Sequence, residues 1–304
     1  MRRRRDPGLI LLLTPVLWGA TFPATKIALR HLPVLTFMAW SRMLGFLTIL
    51  ALLPLLRRAA HDEGSWKSVI GPGAVLGALM FLGYLLQTEG LARTTATNAG
   101  FITGLYIVFT PLMAAMAFGQ RAPRTAWLAI VVALAGLALL SITNLAAVRL
   151  HAGDLLVLAG AVAWAAHIAA VGHLSPRHSP WLLSLSQMGW AALFHVVAAS
   201  PTGLRPHVAI AASVWPLLIL AGVLGSGIAF TIQIMAQRSL TPARAVVVLA
   251  GESLFSAGFS AVWIDERLLP HQWLGAGLVL VAMAYSELSA RRKQPVLLEP
   301  ASSA

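Results

Sequence analysis

Three side chains near the N-terminus have the types and the spacing of a solute-binding surface. Trp18, Phe22 and Lys26 are four residues apart and therefore share one face of a helix. Pro15 and Pro23 loosen the backbone hydrogen bonds around them and free carbonyl oxygens. Aromatic walls could enclose an organic molecule while the ammonium binds an anionic group. The alternative is that Trp18 packs in the core and Lys26 extends its charged end to water.

Two isolated charges lie inside apolar stretches of the chain. Arg42 lies nine residues into the second predicted helix and could hold a carboxylate or a phosphate, or it could extend to water. Glu252 is the only acidic residue in the middle of an apolar run. A carboxylate in hydrocarbon must be protonated, paired or in water, so Glu252 is a candidate for proton coupling. The alternative is a structural hydrogen bond.

Neutral polar and aromatic side chains complete the set of candidate pathway residues. Amide groups can bond both the donors and the acceptors of a solute, whereas a purely structural amide bond between membrane helices is worth about 0.6 kcal/mol. His167 could bind solute or relay protons, or it could simply be hydrogen-bonded. The residues added to the set on these grounds are Tyr84, Gln87, Tyr106, Trp164, His167 and Gln233.

The chain contains an internal repeat. Sliding the sequence by 146 residues places Trp18 on Trp164, Gln87 on Gln233, Thr95 on Thr241, Arg121 on Arg267 and Trp127-Leu128 on Trp273-Leu274. Tryptophan, glutamine and arginine are too sparse here for such matches to follow from composition. We therefore infer two related halves, which would place Trp18 and Trp164 at equivalent positions.

Composition identifies an integral membrane protein. Hydrophobic residues make up 58% of the 304, charged residues only 11%, and the mean hydropathy is +0.80. The fold class expected is all-α, with ten transmembrane helices as two inverted five-helix repeats, since an odd number of crossings turns the second copy over. The helices are predicted at about 8–28, 34–56, 69–92, 97–118, 125–143, 153–173, 180–200, 213–237, 243–263 and 270–289. The repeats span 9–143 and 153–289, followed by a cytoplasmic tail, 290–304.

The distribution of Lys and Arg along the chain predicts how the chain is oriented in the membrane. With a cytoplasmic N-terminus, 15 Lys and Arg residues fall on the cytoplasmic side and 5 on the other. Both termini are therefore expected in the cytoplasm of a bacterium, with the chain crossing the plasma membrane many times. The basic residues that give the chain its net charge of +12 lie between apolar runs rather than on one folded face, so no nucleic-acid partner is expected.

Three segments carry a resemblance to a known family. Trp18-Gly19 through Phe22 to Lys26 resembles the WGxxFxxxK opening of the EamA family in the drug/metabolite transporter superfamily. The stretch 99–112 and the stretch 252–275, with Asp265-Glu266-Arg267-Leu268, resemble later family segments. The resemblance implies a ten-helix carrier for small metabolites, often an exporter. Ser253 stands where the family usually has proline, which predicts a straighter ninth helix.

The function expected is secondary transport of a small organic metabolite or drug-like solute by alternating access. The expected partners are that small molecule and the lipid bilayer, for a monomer or a homodimer. No enzyme is expected, because HExxH, GxSxG and GxxxxGK[ST] motifs are absent from the sequence. No cofactor or metal is expected either, since there is no cysteine and the histidines are scattered. A membrane-embedded lipid-modifying enzyme and a non-transporting receptor are the alternatives.

Overall fold

The described part of the chain is helical. The computed structural model describes residues 6–60, 64–141, 152–202, 208–265 and 267–291, and its regular structure within these ranges consists of helices alone. Ten long helices occur there: α1 Pro7–Ala28, α2 Val34–Ala60, α3 Ile70–Leu91, α4 Ala96–Phe118, α5 Arg124–Ser141, α6 Ala152–Leu174, α7 Pro180–Ala199, α8 from Val208 to Gln237, α9 Pro242–Trp263 and α10 Pro270–Arg291. Short 3₁₀ turns at Trp66–Ser68, Ser175–Arg177 and Ser200–Thr202 precede or follow them.

The predicted all-α membrane architecture is confirmed, but the number of crossings is confirmed only in part. Eight helices, α1 to α4 and α6 to α9, are long and apolar enough to span a bilayer. The apolar part of α5, Arg124–Leu140, is shorter, and α10 is not among the eight. Ten crossings therefore stay a prediction. Residues 2–5 with their four arginines, positions 142–143 and residues 292–304 of the predicted tail lie outside the described residues.

Polar N-caps start the helices where the sequence supplies them. Asp6 accepts a hydrogen bond from Gly8 N at 2.9 Å, with Pro7 in the first helical position. Thr95 and Thr241 cap α4 and α9 in the same way, by accepting from the backbone N–H three residues later. These two threonines are 146 residues apart, so the repeat seen in the sequence is also a repeat of local structure.

The helices α4 and α9 are interrupted at nearly equivalent positions, Leu105 and Ala250. Hydrogen bonds there tighten to the 3₁₀ type: Val108 N donates to Leu105 O at 3.0 Å, and Ser253 N donates to Ala250 O at 3.3 Å. The helix α9 is thus interrupted although serine stands at position 253, and that it is straighter than in the EamA family stays a prediction. Ser253 donates its hydroxyl to Gly100 O at 2.6 Å, which ties α9 to α4.

A π-helical segment, Leu220–Ile228, lies in the middle of α8 and brings it close to α2. Glycines make this approach possible, because a Cβ at Gly222 would lie 2.7 Å from Ser41 O and one at Gly227 would lie 3.1 Å from Gly45 O. The same segment presents Gly225 O to the indole of Trp18. The close pair of helices therefore helps to position a candidate pathway residue.

Packing between the halves follows the repeat. The helix α1 packs on α9 and its counterpart α6 packs on α4, whereas α2 packs on α8 and α7 packs on α3. The helices α5 and α10, which are equivalent to each other, pack together. The two halves are therefore interleaved, and the residues near the middles of α1, α3, α4, α6, α8 and α9 meet at the centre.

The α5–α10 contact generates a stability prediction. A Cβ at Gly275 would lie 2.5 Å from Gly136 O, a backbone atom that cannot move without displacing α5, whereas a Cβ at Gly277 meets nothing within 4 Å. We expect Gly275→Ala to lower the thermal unfolding temperature in detergent, because the two helices must separate. The matched control Gly277→Ala on the same helix should leave it unchanged or slightly higher. Equal unfolding temperatures for the two variants would contradict this packing.

Candidate functional site

Two adjoining compartments occupy the centre of the helix bundle. The first, which we name the central compartment, has a volume of about 370 Å³ and is lined by Trp18, Thr21, Phe22, Tyr84, Gln87, Thr103, Tyr106, Trp164, Ile168, Phe230 and Glu252. The second, which we name the Arg42 compartment, has a volume of about 410 Å³ and is lined by Thr21, Phe22, Thr25, Phe37, Met38, Arg42, Tyr84, Gln87, Thr88, Leu91 and Ala221. Thr21, Phe22, Tyr84 and Gln87 line both, so the compartments adjoin along these side chains.

Two aromatic pairs form the walls of the central compartment. The ring centroids of Trp18 and Phe230 are 4.7 Å apart, and those of Trp164 and Tyr84 are 4.6 Å apart. The two pairs are related by the repeat, since each tryptophan has its counterpart 146 residues away, as do Tyr84 and Phe230. Trp18 is fixed by a 2.9 Å hydrogen bond from its indole Nε1 to Gly225 O. The result is a near-symmetric aromatic box at the interface of the two halves.

Tyr106 and Glu252 face each other across the same interface. Tyr106 directly follows the interruption of α4 at Leu105, Glu252 lies two residues after the interruption of α9 at Ala250, and the two positions are 146 residues apart. The phenol and the carboxyl lie within interaction range. Neither Tyr106 Oη nor Glu252 Oε1, however, makes a hydrogen bond of normal geometry to a described residue. The carboxyl is 3% exposed and lines the central compartment.

Arg42 lies at the other end of the cavity and stacks on Tyr84. Its guanidinium carbon is 3.6 Å from the centroid of the Tyr84 ring, which is a close cation–π contact. The side chain is 3% exposed, and Nε has no hydrogen-bond partner among the described residues. Gln87, which lines both compartments, donates to Thr103 Oγ1 at 2.8 Å.

The structure brings eight of the eleven predicted residues to the cavity. They are Trp18, Phe22, Arg42, Tyr84, Gln87, Tyr106, Trp164 and Glu252. The three predicted residues that line neither compartment are Lys26, His167 and Gln233. Lys26 donates to Leu91 O and Thr94 O at the C-terminal end of α3, where exposed carbonyls attract a cation.

The other two side chains that lie off the cavity are engaged in buried hydrogen bonds. His167 Nε2 lies 3.1 Å from Gln187 Oε1. Gln233 donates to Gln237 Oε1 at 2.9 Å, and Gln237 in turn donates to Ile168 O at 3.0 Å. All four side chains are essentially inaccessible. They seal the contact between α6, α7 and α8 rather than lining the space beside them.

Sequence reasoning missed several threonines that line the cavity. Thr21 and Thr25 follow Trp18 by three and seven residues, so the helical spacing that identified Phe22 also placed them on the same face. Thr88 directly follows Gln87 and lines the Arg42 compartment. Threonine is common in packed membrane helices, so residue type alone did not distinguish these hydroxyls.

The cavity departs from the symmetry of the repeat on one side. Thr25, Arg42, Thr88 and Leu91 line the Arg42 compartment, but their counterparts 146 residues later are closed in the core. Those counterparts are Val171, Met188, Ile234 and Gln237, each at most 1% exposed. The first half thus leaves space where the second half is packed shut.

Comparison with known proteins assigns the chain to a family. A model described as the EamA-like transporter family matches twice, over residues 7–142 and 151–286. The chain belongs to the EamA-like transporter family. The expected membership of the drug/metabolite transporter superfamily is thereby confirmed. The double match coincides with the repeat seen in the sequence, in the caps and in the helix packing.

Individual relatives agree with this assignment. A protein of Archaeoglobus fulgidus named "Uncharacterized transporter" is 30% identical, with 92% of this chain and 85% of the relative covered. A protein of Escherichia coli named "Probable amino-acid metabolite efflux pump" is 25% identical, with 96% and 98% covered, and one of the same name from Salmonella typhimurium is 26% identical, with 64% and 62% covered. A solved crystal structure that covers 96% of this chain and 99% of its own superposes with a TM-score of 0.73 at 19% identity, which supports the fold.

Proposed function

We propose that this EamA-family protein is a secondary exporter of amino-acid-like metabolites that works by alternating access. The observation that carries the proposal is a cavity at the interface of the two repeats, bounded by repeat-related aromatic pairs, whose Arg42 compartment is lined by residues with packed counterparts in the second half. Binding at the interface of two repeats is the arrangement of many secondary transporters.

The sidedness of the cavity follows from the topology that the charges predict. We propose ten crossings, two inverted repeats and cytoplasmic termini in the plasma membrane. The helix α1 then runs outward, so Thr25 near its C-terminal end, Phe37 near the start of α2 and Leu91 at the end of α3 lie towards the outside. In this arrangement the Arg42 compartment leads outward, and the sealed counterparts lie towards the cytoplasm.

If the two repeats exchanged conformations, the cavity would close towards the outside and open towards the cytoplasm. If the second half adopts the conformation of the first, the buried bonds of His167 with Gln187 and of Gln233 with Gln237 must open, and the Arg42 compartment must close. These bonds are between neutral groups, so each contributes on the order of 1 kcal/mol and can be exchanged without breaking a buried ion pair. The arrangement favours a carrier over a channel, because the residues that line the Arg42 compartment have packed counterparts in the second half.

The choice of solute and the direction of transport are supported by the relatives. Two of them carry the name of an amino-acid metabolite efflux pump. The cavity suits such molecules, since it combines aromatic walls for an apolar side chain with hydroxyl, amide and charged groups for the polar end. An enzyme that modifies lipids would need clustered carboxylates or histidines, and Glu252 is the only residue of either kind that lines the two compartments. We therefore propose that the protein is not an enzyme.

Flux through the purified protein tests this function. Proteoliposomes are loaded with a mixed panel of amino acids and related metabolites, and release is followed for each with and without a pH gradient. We expect release of at least one panel member above protein-free vesicles, and weaker release from Trp164→Ala vesicles, because that variant removes one wall of the aromatic box. Saturable binding without flux would instead identify a receptor, and consumption of lipid would identify an enzyme.

Coupling to protons is assigned to Glu252. A proton antiporter with an acidic lumen can accumulate its solute up to about tenfold for each unit of pH, because one pH unit corresponds to about 1.36 kcal/mol. We expect Glu252→Gln to retain solute exchange at zero gradient, since the amide keeps the shape beside Tyr106, and to lose gradient-driven accumulation. The matched control Glu89→Gln changes a carboxyl paired with Arg93 at the surface and should accumulate normally. Undiminished accumulation in Glu252→Gln would make Glu252 a packing residue.

A further inference from the structure

Arg42 presents hydrogen-bond donors that the protein does not use. Stacking on Tyr84 engages the flat face of the guanidinium, whereas its five N–H groups point outward in the plane of the group. The Nε donor has no partner among the described residues, although the side chain is 97% buried. Arg42 also lines the Arg42 compartment, so this donor edge borders space that protein atoms do not fill.

Another arginine in this chain shows what a structural role involves here. Arg244 donates to Glu287 through Nε at 3.1 Å and through Nη2 at 2.6 Å, and Asp6 lies 3.7 Å from the same nitrogen. These bonds join the ends of α1, α9 and α10. Arg42 has no carboxylate in a comparable position among the described residues, and a cation inside the membrane is costly without one. Holding helices together therefore does not account for Arg42.

The fold itself does not require a cation at this position. The counterpart of Arg42 in the second repeat is Met188, which is apolar and fully buried. Three threonines, Thr21, Thr25 and Thr88, line the compartment together with Arg42. The Thr21 hydroxyl already donates to Trp18 O at 2.7 Å, whereas those of Thr25 and Thr88 can donate to a solute oxygen without adding a competing negative charge.

The opposite end of the cavity is unfavourable for an anion. Glu252 belongs to the central compartment, beyond the aromatic pairs, and Tyr84 stands between it and Arg42, within electrostatic range of both. When Glu252 is ionised, a negatively charged group beside it would be repelled and would favour the Arg42 end. An apolar body would then occupy the aromatic box between the two.

We propose that the Arg42 compartment is a carboxylate subsite and that Arg42 selects solutes that carry a carboxylate next to a flat apolar group. The planar guanidinium can donate two parallel hydrogen bonds to the two oxygens of a carboxylate, while Tyr84 holds the group in place. This inference rests on the proposed function, since it names the part of the transported solute that this site recognises. A purely structural cation–π contact would give no dependence on the carboxylate.

The test compares each carboxylate with its own amide. The probes are L-phenylalanine with L-phenylalaninamide and indole-3-acetate with indole-3-acetamide, each used to compete with flux of a transported panel solute and to shift the unfolding temperature of the purified protein. The wild-type chain should prefer the carboxylate of each pair by about tenfold or more, the strength expected of charge-assisted hydrogen bonds. Arg42→Gln should reduce that preference to about twofold or less, and Arg42→Lys should fall between.

Two comparisons keep the outcome decisive. Arg93→Gln removes a cation that is half exposed and paired with Glu89, so it should retain the wild-type preference. If Arg42→Gln does not fold, the preference of the wild-type chain and of Arg42→Lys decides the question. Flux without preference for the carboxylate in the wild type, or an unchanged preference in a folded Arg42→Gln, overturns the subsite and leaves the proposed function standing. Absence of both flux and stabilisation for every solute overturns the proposed function as well.

Discussion

A charged side chain within hydrocarbon needs a partner or a wet cavity, and this constraint explains where the helices of the protein leave space. Arg42 and Glu252 both lie deep inside membrane helices, and neither is neutralised by an opposite charge among the described residues. The bundle accommodates them by opening between its two halves, so that both charges line one cavity. Each helical feature near the centre contributes to this opening, including the interruptions before Tyr106 and Glu252 and the π-helical turn that holds Trp18.

The symmetry between the repeats, together with the positions where the two repeats differ, explains how such a cavity could open to either side in turn. The repeat supplies two equivalent aromatic pairs, so the proposed solute-binding centre would be similar whichever half is open. The polar side chains are not duplicated, because threonines and an arginine of the first half correspond to Val171, Met188 and Ile234 in the second. The second half therefore places buried apolar side chains at three positions where the first half lines the Arg42 compartment with polar ones.

The sequence was sufficient to predict much of this arrangement. Sparse residue types repeated at a fixed offset predicted two halves, and helical spacing from Trp18 predicted one wall of the cavity. It was not sufficient to place Lys26 and His167, whose partners belong to other helices, or Gln233, whose amide donates to Gln237 one turn further along the same helix. Thr21 and Thr88 were missed because threonine is common in packed membrane helices. A threonine can be recognised as a cavity residue only when the packing around it leaves space beside its hydroxyl.

Exchange of access between the two halves is the central claim of this account, and side-specific thiol modification tests it most directly. The chain has no cysteine, so Thr88→Cys and its repeat counterpart Ile234→Cys can be studied without further changes. A membrane-impermeant thiol reagent is applied from either face of oriented vesicles, with and without a transported solute and a pH gradient. The account predicts that Thr88→Cys reacts from the outer face, and that conditions that make Ile234→Cys reactive from the cytoplasmic face protect Thr88→Cys. Reaction of both cysteines from the same face, or reactivity of Ile234→Cys that never opposes that of Thr88→Cys, would contradict alternating access through this cavity.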